Sequence, residues 1–367
     1  MPYADDYPST TPLPTEAGWR WPAEWEPTRA VWTSFPNLAR TWGSALAKAQ
    51  QEFAAFLLAL SNVIEVNVCV TDEEHLQSAI SSLKKKASAP STGGKATGNM
   101  ANLHFHFFPS TEAWIRDFGP IWLKHRNGSH LALDHQFNTW GGKYPPFELE
   151  NQIPRLIAEY RNHARHALDF ILEGGSIDTN GAGTVLTSEA CLLTPTRNPQ
   201  FTKSQIEDHL KRTFHLQQVV WLGDGIAGDD TDGHIDDMTR FIAEDVILTA
   251  VEEDTSDVNH RALQENFERL QQLRLPDGRK PTIIPIPMPR AVEYEGERLP
   301  ASHLNFLFAG GCVFVPDFPH HNRPDAHQRF EEAMARHRPG TKVIWLDTTH
   351  IVVGRGSLHC LSMQEPL

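Results

Sequence analysis

Gly228-Asp229-Asp230-Thr231-Asp232-Gly233-His234-Ile235-Asp236-Asp237 places five carboxylates and one imidazole within ten residues, a density that no structural need explains. In an extended chain, side chains two apart share a face, so a strand through this stretch turns His234 and Asp236 toward one pocket. The two framing glycines let the backbone bend tightly or approach a ligand closely. Taken alone, the run reads equally well as a solvated acidic turn, and the rest of the chain has to separate the two readings.

Working outward, a helix over 203–212 and a strand at 219–222 lead into the stretch. Strands at 241–242 and 246–251 leave it, followed by a helix over 258–273 with apolar residues three or four apart. The same alternation reaches both ends. On the N-terminal side come a strand at 30–35 stopped by Pro36, a helix capped by Ser44 with Leu46, Phe53, Phe56, Leu57 and Leu60 at helical spacing, and a strand at 63–70. Strands at 104–108 and 131–137, a helix over 149–163 and a strand at 184–187 continue it. On the C-terminal side, 283–288 is interrupted by proline and suits a sheet edge. Residues 303–308 and 311–315 form a strand pair, 324–337 a helix with Pro324 in its first turn, and 343–346 and 350–353 the last strands. Residues 84–98 have no periodicity and read as a mobile surface loop.

Residues 1–18, rich in proline, serine, threonine and aspartate, read as a flexible arm, and Trp19, Trp21 and Trp25 after it as packing anchors. No linker interrupts the alternation, so 19–367 is expected to be a single α/β domain. Short strands and helices recurring at intervals of roughly fifty to eighty residues suggest a repeated supersecondary unit.

The 367 residues suffice for a sizeable core, and a hydrophobic content of 40% fits a globular protein. With 33 basic against 46 acidic residues, the formal charge of −13 argues against a nucleic-acid partner and suits a cationic ligand. Neither a secretory signal nor a membrane-spanning run is legible, so a cytoplasmic protein without a membrane partner is expected. Cys69, Cys191, Cys312 and Cys360 form no C-x-x-C pair and read as reduced thiols.

Cys360 follows the glycine-rich Gly354-Arg355-Gly356-Ser357-Leu358-His359 turn rather than lying inside an apolar strand as Cys69 and Cys312 do, which makes it the candidate nucleophile. A thiolate needs a basic partner, which His234 supplies if the fold brings it across. Asp117 and Asp236 would then share the pocket. Two carboxylates suit a guanidinium, with which they form charge-assisted pairs.

At this point the chain resembles the agmatine deiminases and the related bacterial-type peptidylarginine deiminases. The resemblance is carried, in order, by Trp114-Ile115-Arg116-Asp117-Phe118-Gly119-Pro120, Phe137-Asn138-Thr139-Trp140-Gly141-Gly142-Lys143-Tyr144, Glu173-Gly174-Gly175-Ser176, Thr196-Arg197-Asn198-Pro199, the opening stretch, Ser302-His303-Leu304-Asn305-Phe306 and the turn to Cys360. It implies a five-bladed α/β propeller, or pentein, of ββαβ units around a central pocket. It also implies a deimination without metal or cofactor, in which Cys360 attacks, Asp117 and Asp236 hold the guanidinium, His234 moves protons and Glu173 orients His234. Trp114, Trp140, Asp230, Asn305 and Arg355 are the expected substrate contacts, and a homodimer is plausible by the same token.

The chain departs from the agmatine deiminase pattern at three places. Asp230 stands where glutamate is usual, Arg355 and Ser357 stand where glycine and asparagine are usual, and residues 32–40 differ in wording. The expected reaction is agmatine plus water to N-carbamoylputrescine and ammonia. The same chemistry on peptidyl or free arginine is the alternative, with Arg355 pairing a substrate carboxylate or simply solvated. A non-catalytic propeller and a metal hydrolase using His234 and Asp236 are the readings from other classes.

Overall fold

The apolar run Ala30-Val31-Trp32 lies fully buried in a four-stranded sheet of the computed structural model, which describes residues 13–14, 17–88 and 98–367. Strand Thr28–Ser34 pairs antiparallel with Ser362–Pro366, at the far end of the chain, and parallel with Glu65–Cys69, which pairs in turn with Leu103–His106. A parallel step needs a crossover, and helix Leu46–Ser61 supplies it with Ala49, Phe53, Phe56, Leu57 and Leu60 buried along one side.

The pattern of hairpin, helix and third strand parallel to the second recurs along the chain. It runs through Ile121–His125, His130–Gln136, helix Ile153–Arg161 and Ala164–Ile171. Next come Ile177–Thr179, Thr184–Ser188, helix Lys203–Phe214 and Gln218–Leu222. Thr239–Ala243, Val246–Val251, helix His260–Gln271 and Thr282–Pro287 repeat it, as do Leu307–Ala309, Cys312–Asp317, helix Pro324–His337 and Lys342–Asp347. With Ser362–Pro366 serving as the first strand of the sheet described above, the described residues hold five ββαβ sheets. A separate two-stranded hairpin, Glu293–Tyr294 with Glu297–Arg298, stands outside them.

Several elements differ from the sequence reading. Ser44 caps no helix: Ala45 is the N-cap of Leu46–Ser61, and the Ser44 hydroxyl lies 2.6 Å from that of Tyr294. Of the expected strand 303–308 only 307 and 308 are paired, in strand Leu307–Ala309, because His303, Leu304 and Asn305 form a turn. The β-branched run 351–353 belongs to a 3-10 helix, Ile351–Gly354, with Ile351 and Val352 fully buried. Helix Glu73–Ser88 absorbs the start of the loop expected over 84–98, and 89–97 lie outside the described residues. So does most of the 1–18 arm, where Ala17 forms a bridge with Trp19. Trp21 and Trp25 pack on Phe214 and Phe308. No described helix is long and apolar enough to cross a membrane.

Candidate active site

Cys360 follows the 3-10 helix Ile351–Gly354 and a left-handed turn at Arg355 (φ 71°), in the segment just before the last strand. Its sulfur lies 3.0 Å from Asn305 Nδ2 and 3.5 Å from Asp236 Oδ2. Asn305 Oδ1 accepts from the N–H groups of His359 (2.9 Å) and Cys360 (3.3 Å), and Nδ2 also donates to Asp237 (2.9 Å). Both ends of the Asn305 amide are therefore spent on fixing the nucleophile's backbone and thiol. Asn305, expected as a substrate contact, thus stands directly beside the nucleophile and supports it.

Asp117 sits in the one-turn helix Ile115–Phe118. Its Oδ1 accepts from Gly175 N–H at 3.0 Å and its Oδ2 from Trp140 Nε1 at 2.9 Å. Trp140 reaches it from a turn in which Thr139, Trp140, Gly141 and Gly142 all have positive φ, a conformation that costs energy at the two non-glycine positions. Arg116, the preceding residue in the chain, turns away from Asp117 to Glu24 at 3.1 Å. Burial, helped by Asp236, pushes the Asp117 carboxyl up to about 6 against the opposing pull of His234 and Trp140.

Asp236 lies in a 3-10 turn, Ile235–Asp237, not in a strand, yet it and His234 still converge. The convergence point is Gly175: a Cβ there would lie 2.6 Å from His234 Nδ1, 2.8 Å from Asp117 Oδ1 and 3.0 Å from Asp236 Oδ2. Asp236 Oδ2 also meets His359 Nδ1 at 2.7 Å, and its Oδ1 has no hydrogen-bond partner. Burial opposes ionisation of Asp236, but His359, His234 and Arg240 together hold it below the usual carboxylate range. Asp237, buried beside Asp236 and Asp229, is pushed well above that range.

His234 is fully buried with both ring nitrogens unpartnered, and its Nδ1 lies 3.7 Å from Asp117 Oδ1. Burial works to lower its pKa, but Asp117, Cys191 and Asp236 raise it well above the ordinary histidine value. Glu173 and Cys191 lie beside it, with a donor atom of each within 4.8 Å of the imidazole. Arg197 Nε binds Glu173 Oε1 at 2.7 Å, leaving Oε2 free. The same guanidinium reaches Asp232 at 2.7 Å and the Thr231 carbonyl at 3.0 Å, tying Glu173 to the acidic stretch.

That stretch divides its acids by task. Asp229 clamps the turn from within: Oδ1 accepts from Thr231 N–H and Oδ2 from the N–H groups of Gly233 and His234, which settles it as support. Asp230 points into the cavity beside Tyr144, whose hydroxyl it accepts, and lies 3.5 Å from Lys143.

The cavity has a volume of about 480 Å³ and is lined by Cys360 and Asp117 at its reactive end, by Trp114, Trp140 and Tyr144, and by Asp230, Glu295, Glu297 and Arg355 among others. Arg355 donates to Glu297 and to the Gly228 carbonyl, so its charge is already paired. The thiol is buried, and Asp236, Asp237 and Asp117 add to burial in raising its pKa well above the usual thiol value. The free site therefore holds Cys360 as a neutral thiol, and a bound cation reverses that field.

Two groups, Glu173–Cys191–His234 and Asp236–Asp237–Cys360, bring residue types able to hold a metal ion within 4.8 Å of one another. Arg197 already serves the first, and Asn305 and His359 already donate to the second. Sequence reasoning assigns no role to Gly175, Arg197 or His359. All three lie inside the quoted motifs, the only signal available for them, and His359 gains its meaning from carboxylates more than a hundred residues away.

A pocket that sets a thiol and an imidazole against two carboxylates, on this α/β pentein-type fold, belongs to an enzyme of the guanidino-modifying hydrolase type. The family model of the Porphyromonas-type peptidyl-arginine deiminases matches residues 20–366, and the chain belongs to that family. It is 31% identical over 379 residues to the agmatine deiminase of Stutzerimonas stutzeri (strain A1501), covering 97% of this chain and 98% of the relative. The structure of the Enterococcus faecalis agmatine deiminase superposes with a TM-score of 0.86 at 28% identity, covering 98% of each chain. A cysteine-to-serine variant of the C. jejuni agmatine deiminase with substrate bound gives 0.82 at 29%, covering 95% of this chain and 96% of that one.

Proposed function

We propose that the protein hydrolyses agmatine to N-carbamoylputrescine and ammonia, with the five ββαβ sheets as the blades of a propeller and residues 19–367 as one catalytic domain around the cavity. The observation that carries the reading is the pair of buried carboxylates, Asp117 and Asp236, flanking the Cys360 thiol below a cavity with further carboxylates at its mouth. A guanidinium between Asp117 and Asp236 pairs with both, offsets part of their charge and lowers the cost of ionising the thiol. The thiol proton passes to solvent, and the Cys360 thiolate then attacks the guanidinium carbon. The His234 imidazolium protonates the departing nitrogen, which leaves as ammonia and yields a thiouronium. Neutral His234, polarised by Glu173, takes a proton from water as the water attacks; the C–S bond breaks and the ureido product leaves.

At the far end, Asp230 and Glu295 suit a second cation, while both arginines that line the cavity are already engaged, Arg355 by Glu297 and Arg40 by Glu112 at 2.6 Å. This favours agmatine over arginine, whose carboxylate would need a free cation. Trp114 and Trp140 supply apolar walls for the methylene chain. Incubating the protein with agmatine, free arginine and an arginyl peptide, with ammonia and ureido product assayed, tests the substrate. Turnover of agmatine in preference to both is expected; turnover of the peptide with none of agmatine would assign the site to peptidyl arginine.

A further inference from the structure

We infer that His359 is a positioning residue held as an imidazolium, which keeps Asp236 ionised and leaves one of its oxygens for the substrate. The ring bridges two carboxylates, with Nδ1 2.7 Å from Asp236 Oδ2 and Nε2 2.7 Å from Glu24 Oε1. Two carboxylate acceptors at that distance require two N–H donors, and only the protonated ring has both.

The surroundings agree. Glu24 is held at 3.1 Å by Arg116 and at 2.6 Å by Arg240, and Arg240 also binds Asp178 at 2.8 Å. Arg116 Nε donates to the His359 carbonyl at 3.3 Å. The buried cluster thus has three carboxylates (Glu24, Asp178, Asp236) against two guanidiniums (Arg116, Arg240), and a charged His359 makes it neutral, which burial strongly favours. The groups facing the ring are Asp236 and Glu24, with Cys360 next in the chain and Arg116 and Arg240 behind Glu24. Opposing burial, Glu24 is held well below the usual carboxylate range by His359, Arg240 and Arg116.

With Oδ2 of Asp236 occupied by His359, Oδ1 is buried and unpartnered, the one atom of that carboxylate left for a guanidinium N–H. The imidazolium also offsets the anion 3.5 Å from the thiol. This inference rests on the guanidino reading of the cavity for its kinetic consequence, but not for the charge of the ring.

Two measurements test it. In the full-length protein carrying 15N-labelled histidine, the His359 ring signals are those lost in His359→Asn, and both nitrogens are expected to be protonated through neutral pH. A neutral ring at pH 7 overturns the inference whatever the cavity binds. In kinetics with agmatine, His359→Leu removes donor and charge, whereas His359→Asn keeps a neutral donor to Asp236. KM is expected to rise roughly tenfold or more in the leucine variant and less in the asparagine variant, with the acid limb of kcat/KM moved to higher pH in both. A merely structural residue would lower the melting temperature and leave that limb in place, and an unmoved limb overturns the inference. An imidazolium in an enzyme that does not turn over agmatine would support the assignment of His359 and sink the substrate reading instead.

Discussion

On the proposed mechanism, the ionisation of Asp117 gates the chemistry. Burial holds its carboxyl at about 6, so in the free protein it gains a proton as the pH falls through that value. Because the folded value lies above the unfolded one, ionising Asp117 costs stability, a cost present above about pH 6 and relieved below it. Activity has the opposite sense: kcat/KM for agmatine is expected to fall below about pH 6, and a pH–rate profile flat down to pH 4 would remove Asp117 from guanidinium binding. Asp117→Asn keeps a hydrogen-bonding group without the charge and is expected to lose on the order of a hundredfold in kcat/KM, the scale of about 3 kcal/mol for one charge-assisted bond in a buried site. Cys360, His234, Asp117, Asp236 and Glu173 were legible at this scale, because their residue types and motif order pointed to the chemistry. The supporting bonds of Asn305 and Asp229 are not readable there, since a side chain serving its own turn has the same letter as one serving a ligand.

Glycine 175 governs how the elements meet. It follows the strand Ala164–Ile171 in the short 3-10 turn Gly174–Ser176 and lets the helix bearing Asp117 and the turn bearing His234 and Asp236 close to within one missing methyl group. Gly175→Ala is expected to push all three functional side chains apart and lose at least a hundredfold in kcat. Its melting temperature should change far less than its rate, because the displaced groups line a site; wild-type kinetics in this variant would show that the three need not converge. At the level of elements, helices with an apolar stripe were readable, as in Leu46–Ser61. Helix Glu73–Ser88 was not, since only His75, Ala79, Ser82 and Leu83 of it are buried. Strand Ala164–Ile171 was missed for a like reason, exposing or half-exposing its residues until Leu168. The run 351–353 misled in the other direction: β-branched residues packed in the core take a 3-10 turn when tertiary contacts demand it.

At the scale of the whole molecule, one sheet joins strands from opposite parts of the chain. Ser362–Pro366 pairs with Thr28–Ser34, and Glu365, fully buried, accepts from Trp32 Nε1 at 2.9 Å and Arg161 Nε at 2.7 Å. Burial opposes its ionisation, but His163, Trp32 and Arg161 hold its pKa below the usual value. Its contribution is therefore present above the unfolded carboxyl value and lost as the pH falls through the folded one. Glu365→Gln is expected to lower stability by about 2 kcal/mol in urea denaturation at pH 7, and an unchanged midpoint would mean the ends are held by apolar packing alone. The repeat itself was only partly legible, because the pairing of Thr28–Ser34 with Ser362–Pro366 leaves no local trace in either strand. Cys360, just before the last strand, meets Asp236 and Asn305 from earlier in the chain. Steady-state turnover of agmatine by the wild type and by Cys360→Ala, followed as N-carbamoylputrescine formed, tests Cys360 as the nucleophile most directly. Product is expected from the wild type and none above background from the variant; product formed by Cys360→Ala at the wild-type rate would remove Cys360 from the reaction.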